Sequence, residues 1–184
     1  MGIPVPEDLV DILYSCIDEI GREKIRIDIT SDIAASKKYC KDIIAKCRAK
    51  LGSRVDDETL GTLCEATLHF MLTASLLPSA RKVSMKGVDL DLVIPSLKML
   101  ERQPEKALVI QVIKKSDNID KGKQAESVQP NRDNIWIVSA NPLQLGHKNY
   151  HLGSGKFSYY EIIPDISAFL VDKGVKGLKL LHGQ

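Results

Sequence analysis

The sequence predicts an α/β fold: a mixed β-sheet flanked by helices, with a helical extension at the N-terminal end. Three observations lead there. Apolar residues recur at a spacing of three and four through the first third of the chain, the period of amphipathic helices. From about Arg81 the pattern changes to short apolar runs bounded by turn residues. One of those runs, Ala107–Ile113 (ALVIQVI), is apolar at every position but one, as in a central strand covered on both faces.

Taken in order, Leu9, Ile12, Leu13, Cys16, Ile17 and Ile20 define a helix from Pro6 to Ile20, with Pro6 suited to the first turn and Gly21 as its stop. Lys24–Ile29 alternates Lys/Arg/Asp with Ile and reads as an edge strand or wing. A helix follows over Asp32–Leu51, closed by Gly52. Its polar face carries Lys37, Lys38, Lys41, Lys46, Arg48 and Lys50, either a solvated face or a surface for phosphates. Asp56 and Asp57 cap a third long helix over Glu58–Leu77, which Pro78 ends. Glu65 and His69 lie one turn apart beside its apolar stripe.

Arg81–Met85 and Val88–Ile94 then form a hairpin around Lys86-Gly87. Ser96–Gln103 is one or two helical turns or an irregular excursion. After Ala107–Ile113, the polar stretch Ser116–Asn134 is a loop or a short exposed helix over Lys121–Val128. Asn134–Ser139 is a strand, Gly146–Gly155 a loop, Lys156–Ile163 a last strand, and Ile166–Asp172 a closing helix with a Lys/Gly-rich tail beyond it. Residues 1–55 form the helical extension and 56–184 the α/β part, either as two units or as one continuous domain.

Composition narrows the functional classes. The 184 residues are 43% hydrophobic and carry a net charge of +2, too mild to identify a polyanion partner by itself. The charge is uneven: Arg81–Lys123 holds ten Lys/Arg against six Asp/Glu, so the basic surplus gathers around the strand pair. Cys16, Cys40, Cys47 and Cys64 form no CxxC pair and read as small core residues of a reducing cytoplasmic environment. The N-terminal residues lack the basic and apolar regions of a signal peptide, and no apolar run approaches the length of a membrane span. Phosphate-loop, dinucleotide and nucleophile-elbow motifs are absent.

The chemistry is concentrated in Lys86–Lys115. On a regular strand, Asp89 and Asp91 share one face and Leu90, Leu92 and Ile94 the other. Two carboxylates on an apolar strand need water, a basic partner or a metal, and hard oxygen donors suit Mg²⁺. Asp91 lies deeper in the strand than Asp89. Gln111 interrupts the buried run as a neutral ligand or a hydrogen-bonded core residue, and Lys114, three residues on, falls on the opposite face. His147, Lys148, Tyr150 and His151 make a polar loop that suits an ordinary surface or stacking and phosphate contacts.

A leading helix with Glu65, the hairpin ending GVDLDLVIP, ALVIQVIKK about 20 residues on, and the later strand NIWIVSA together resemble the core of the PD-(D/E)XK nuclease superfamily. That resemblance implies a restriction-endonuclease-like fold and metal-dependent phosphodiester hydrolysis with Mg²⁺ or Mn²⁺. It also implies a nucleic-acid partner, DNA before RNA, and a homodimer. It assigns Asp91 to the metal, Gln111 to the second acidic position and Glu65 to an acid on the first helix; Asp89 joins Asp91 as a metal candidate from the shared strand face alone. Ile113 stands where the family has its lysine, so Lys114 or Lys115 has to take that role. The expected catalytic set is therefore Asp91, Gln111 and Lys114, with Asp91, Asp89, Glu65 and Gln111 as metal ligands. A catalytically degenerate relative, and a non-catalytic module that docks DNA or protein through its N-terminal helices, are the alternatives.

Overall fold

The computed structural model describes residues 6–175. Helices α1 (Pro6–Ile20), α2 (Arg22–Ser31), α3 (Ala35–Leu51) and α4 (Asp57–Ala74) precede the hairpin β1 (Ala80–Met85) and β2 (Val88–Ile94). Then come α5 (Leu97–Arg102), β3 (Leu108–Ile113), α6 (Lys121–Ala125), β4 (Ile135–Ser139), β5 (Lys148–His151) and α7 (Ile162–Asp172). The strands make one sheet in the order β1-β2-β3-β4-β5. β1, β2 and β3 pair antiparallel, whereas β3, β4 and β5 pair parallel.

Each face of the sheet has its own core. Leu92, Ile94, Leu108, Ile110, Val112, Trp136, Val138 and Tyr150 point to α1–α4 and α7, and the same cluster includes Leu13, Ile17, Ile25 and Ile43. That cluster crosses the expected boundary at residues 55 and 56. Leu90, Val93, Val109, Ile113, Ile135 and Ile137 point the other way, towards Leu100 of α5 and Ala125 of α6. β3 is buried at all six positions because both layers cover it, which explains its apolar sequence.

Three expectations are corrected. Lys24–Ile29 is not a strand but part of α2: Ile25 and Ile29 stand one helical turn apart and are buried, while Ile27 is 58% exposed. An alternation of three isoleucines thus contains an i, i+4 pair, and packing against α3 and α4 decided for the helix. Lys156–Ile163 is not a strand either. Ser158 makes one isolated bridge to His151, a 3₁₀ turn spans Tyr159–Glu161, and α7 begins at Ile162, with Pro164 in a first turn that needs no donor there. The last strand is instead Lys148–His151, inside the expected loop, where polar residues pair with β4 and the buried Asn149 amide donates to Ser139 Oγ. The tail from residue 176 lies outside the described residues. No described helix is long and apolar enough to cross a membrane.

Candidate active site

The site begins with the hairpin register. Lys86 and Gly87 both have positive φ (51° and 78°), as a two-residue primed turn requires. That turn sets Val83 against Leu90 and Arg81 against Leu92, so Lys82 lies across from Asp91. Lys82 itself sits in the left-handed region at φ 50°. On β2 the regular alternation fails at this point, since Leu90 packs with Val93 on one face and Leu92 with Ile94 on the other. The expectation that Leu90, Leu92 and Ile94 share a face is corrected accordingly. Pairing of β2 with β3 stops at Leu92–Ile110. Beyond it the strands part, and side chains take over from the ladder.

Asp91 fills the gap. Its Oδ2 accepts from the Val112 backbone N–H at 2.7 Å and pairs with the Lys121 ammonium, while Oδ1 lies 3.0 Å from Lys82 Nζ. Lys121 Nζ also donates to the Val112 carbonyl at 3.1 Å. Glu65, on the sheet-facing side of α4, extends the cluster. Its Oε1 is 2.5 Å from Lys82 Nζ and its Oε2 is 2.6 Å from Lys114 Nζ. Lys114 reaches it because Gly61, one turn earlier on α4, has no side chain: a Cβ there would stand 2.9 Å from Lys114 Cγ. Two buried carboxylates thus meet three lysines supplied by β1, the end of β3 and α6.

Burial pushes the Asp91 carboxyl up, but the Lys121 ammonium, the Val112 N–H and Lys82 outweigh it and hold it below its ordinary value. For Glu65, burial is likewise outweighed by Lys114 and Lys82. A depressed folded-state value means that stability is fully present above the unfolded carboxylate range near 4 and is lost as pH falls through the lower folded value. Urea titrations should therefore show a midpoint that drops below about pH 4 in the wild type. The drop should shrink in Asp91→Asn and Glu65→Gln, and an unchanged acid limb in both variants would contradict this account.

Gln111 lies beside Asp91 and bonds the backbone around it. Its Oε1 accepts from the Asp91 N–H at 2.8 Å, and its Nε2 donates to the Asp89 carbonyl at 3.0 Å and the Lys121 carbonyl at 3.4 Å. The amide clamps the backbone of Asp91 and Lys121 where the strands part. Gln111→Ala would leave the buried Asp91 N–H unpaired, and a loss of about 1–3 kcal/mol is expected in chemical denaturation. Asp89 is exposed and its side chain enters no ion pair among the described residues. Lys115 turns away to Glu58, 3.1 Å distant. His69 is half-buried; burial first, and Arg81 second, lower its pKa. All four cysteines are buried free thiols, and burial pushes the Cys40 thiol up to about 12.

The structure therefore brings together Asp91, Glu65 and Lys114, and places Gln111 behind them. Sequence reasoning missed Lys82, Lys121 and Gly61. The turn at Lys86-Gly87 was the available signal for Lys82; nothing local marks the other two. Beside Lys114, at the carboxyl ends of β3 and β4, an open cleft of about 940 Å³ is lined by Asp56, Glu58, Lys115, Ser139 and Asn141.

A mixed five-stranded sheet whose central strands part around a buried aspartate, with helices on both faces, is a restriction-endonuclease-like α/β fold. Two solved structures share it. The restriction endonuclease PspGI in complex with substrate DNA matches with a TM-score of 0.61 and 14% identity, over 92% of this chain and 94% of that one. Metal-depleted Ecl18kI in complex with uncleaved, modified DNA matches with a TM-score of 0.51 and 9% identity, over 91% and 67%. No protein-family model matches the chain, and no curated protein matches its sequence.

Proposed function

We propose that this chain is a DNA-acting phosphodiester hydrolase that uses a divalent cation, Mg²⁺ or Mn²⁺. The observation that carries the reading is that Asp91 Oδ1 and Glu65 Oε1, from β2 and α4, share one cation, the Lys82 ammonium. The fold's likeness to two DNA-bound endonucleases supports the choice of substrate.

The residues fit such an ion. No three His, Cys, Asp or Glu side chains cluster among the described residues, so a closed all-protein cage is not on offer. Two carboxylates suit a hard ion that keeps water and takes phosphate oxygens. Asp91 and Glu65 would hold it, and a bound cation would lower the pKa of its water and balance charge on the phosphate. Lys121, fixed by Asp91 and the Val112 carbonyl, supplies the ammonium that Ile113 does not, holding the attacking water and countering charge that develops on the phosphate. Lys114 keeps Glu65 oriented. Gln111 holds the splayed backbone, with its oxygen on the Asp91 N–H and its nitrogen on the Asp89 and Lys121 carbonyls.

The test is incubation of duplex, single-stranded and branched DNA with Mg²⁺, Mn²⁺ or EDTA. Cation-dependent cleavage supports the reading. A salt-sensitive shift with no cleavage of any substrate would favour the degenerate relative, which Ile113 and the engaged Gln111 suit. Docking through the N-terminal helices draws less support, because the lysine face of α3 is partly neutralised within the chain: Lys37 pairs with Glu161, and Lys46 and Lys50 with Glu19.

A further inference from the structure

We propose that Lys82 is the resident counter-ion of the position between Glu65 and Asp91, and that a divalent cation binds there by displacing it, so that Lys82 sets the cation affinity of the site. The proposal rests on the reading of the site given above and adds to it the competitor that the ion must remove.

The four carboxylate oxygens are not equivalent. The outer two are tied down: Glu65 Oε2 by Lys114, Asp91 Oδ2 by Lys121 and the Val112 N–H. The inner two, Glu65 Oε1 and Asp91 Oδ1, have Lys82 Nζ between them at 2.5 and 3.0 Å. Glu65 Oε1 is buried, and the Lys82 ammonium at 2.5 Å is its ion-pair partner. The three lysines also differ in freedom. The Lys82 side chain is 53% exposed, against 25% for Lys114 and 23% for Lys121. Lys82 therefore has an open path to water, while the other two stay packed.

Two facing carboxylates repel unless a cation separates them. Lys82 supplies one positive charge on a flexible stem, and a divalent ion would supply two. Two carboxylates already meet three ammoniums, so the exchange raises the net positive charge of the cluster and costs the lysine's ion pairs, which is why Lys82 is an effective competitor for the inner oxygens. The Lys82 backbone lies in the left-handed region at φ 50°, a strained conformation for a residue other than glycine.

The test is Mn²⁺ binding, followed by the electron paramagnetic resonance of the free ion, together with melting temperatures in EDTA and in Mn²⁺. Lys82→Met removes the charge and keeps the stem. It is expected to bind Mn²⁺ on the order of tenfold more tightly than the wild type. It should melt lower in EDTA, where Glu65 Oε1 and Asp91 Oδ1 have lost the ammonium between them, and gain more from Mn²⁺ than the wild type does. Lys82→Arg keeps the charge and should bind no tighter than the wild type, which also serves if the Met variant folds poorly. Lys82→Met binding Mn²⁺ no better than the wild type overturns the role of Lys82 and leaves the hydrolase reading intact. Mn²⁺ binding to neither protein overturns both.

Discussion

Asp91→Asn is expected to reduce DNA cleavage on the order of 10³-fold or more while the fold survives. The substitution keeps the size of the side chain and one acceptor oxygen, but removes the charge that Lys82 and Lys121 flank. Residues that merely orient a metal ligand typically cost 10–100-fold when changed, so loss of a ligand should exceed that range. Binding should move the other way. With one negative charge fewer beside the cleft, duplex DNA is expected to be held as tightly as by the wild type or more so. Single-turnover cleavage at saturating Mg²⁺, beside a gel-shift titration at two salt concentrations, reads both quantities. Wild-type cleavage by Asp91→Asn would remove this carboxylate from the chemistry.

Exchanging the two packed lysines one at a time should separate their roles. Lys121→Met is expected to lower the single-turnover rate on the order of 10²-fold, the usual yield of a positioned proton-handling or charge-stabilising group. Lys114→Met should cost roughly tenfold, because it acts through the orientation of Glu65. The difference follows from what each ammonium touches. Lys121 Nζ is on Asp91 and the Val112 carbonyl, where β2 and β3 part, whereas Lys114 Nζ is on the outer oxygen of Glu65. The reverse order of effects would return the lysine role to Lys114, the position that adjoins Ile113 in the chain. Raising Mg²⁺ should rescue part of the Lys114→Met loss and little of the Lys121→Met loss, since only the former concerns how a ligand is held.

Much of the framework was legible in the residues. The change from helical to strand periodicity near Arg81 located the hairpin, and the unbroken apolar run located the central strand covered on both faces. Asp89 and Asp91 on an apolar strand marked a place where carboxylates have to find water, a basic partner or a metal, while the parting of β2 and β3 at Asp91 came from the structure alone. The errors came where tertiary contacts overrule local pattern. Lys24–Ile29 alternates like a strand, yet its outer isoleucines also fit one helix face, and packing against α3 and α4 chose that reading. Lys148–His151 is polar like a loop and is a strand because β4 offers it an unpaired edge. Glu65 was within reach as an acid beside an apolar stripe, but its two partners lie 17 and 49 residues further along the chain.

What the sequence by itself determined is the class of the fold and its anchor: periodicity, burial and the cost of a lone carboxylate are local properties. Only the tertiary structure decided which cations answer that carboxylate. Lys82 and Lys121, which meet Asp91, come from β1 and a short helix, Lys114, which meets Glu65, comes from the end of β3, and ordinary lysines carry no local mark of the partner they will meet. The missing lysine at Ile113 is a gap when the chain is read as a line. In three dimensions, two strands that part and a helix that crosses behind them bring another ammonium to the same carboxylate, because ion pairs depend on distance in space and not on separation along the chain.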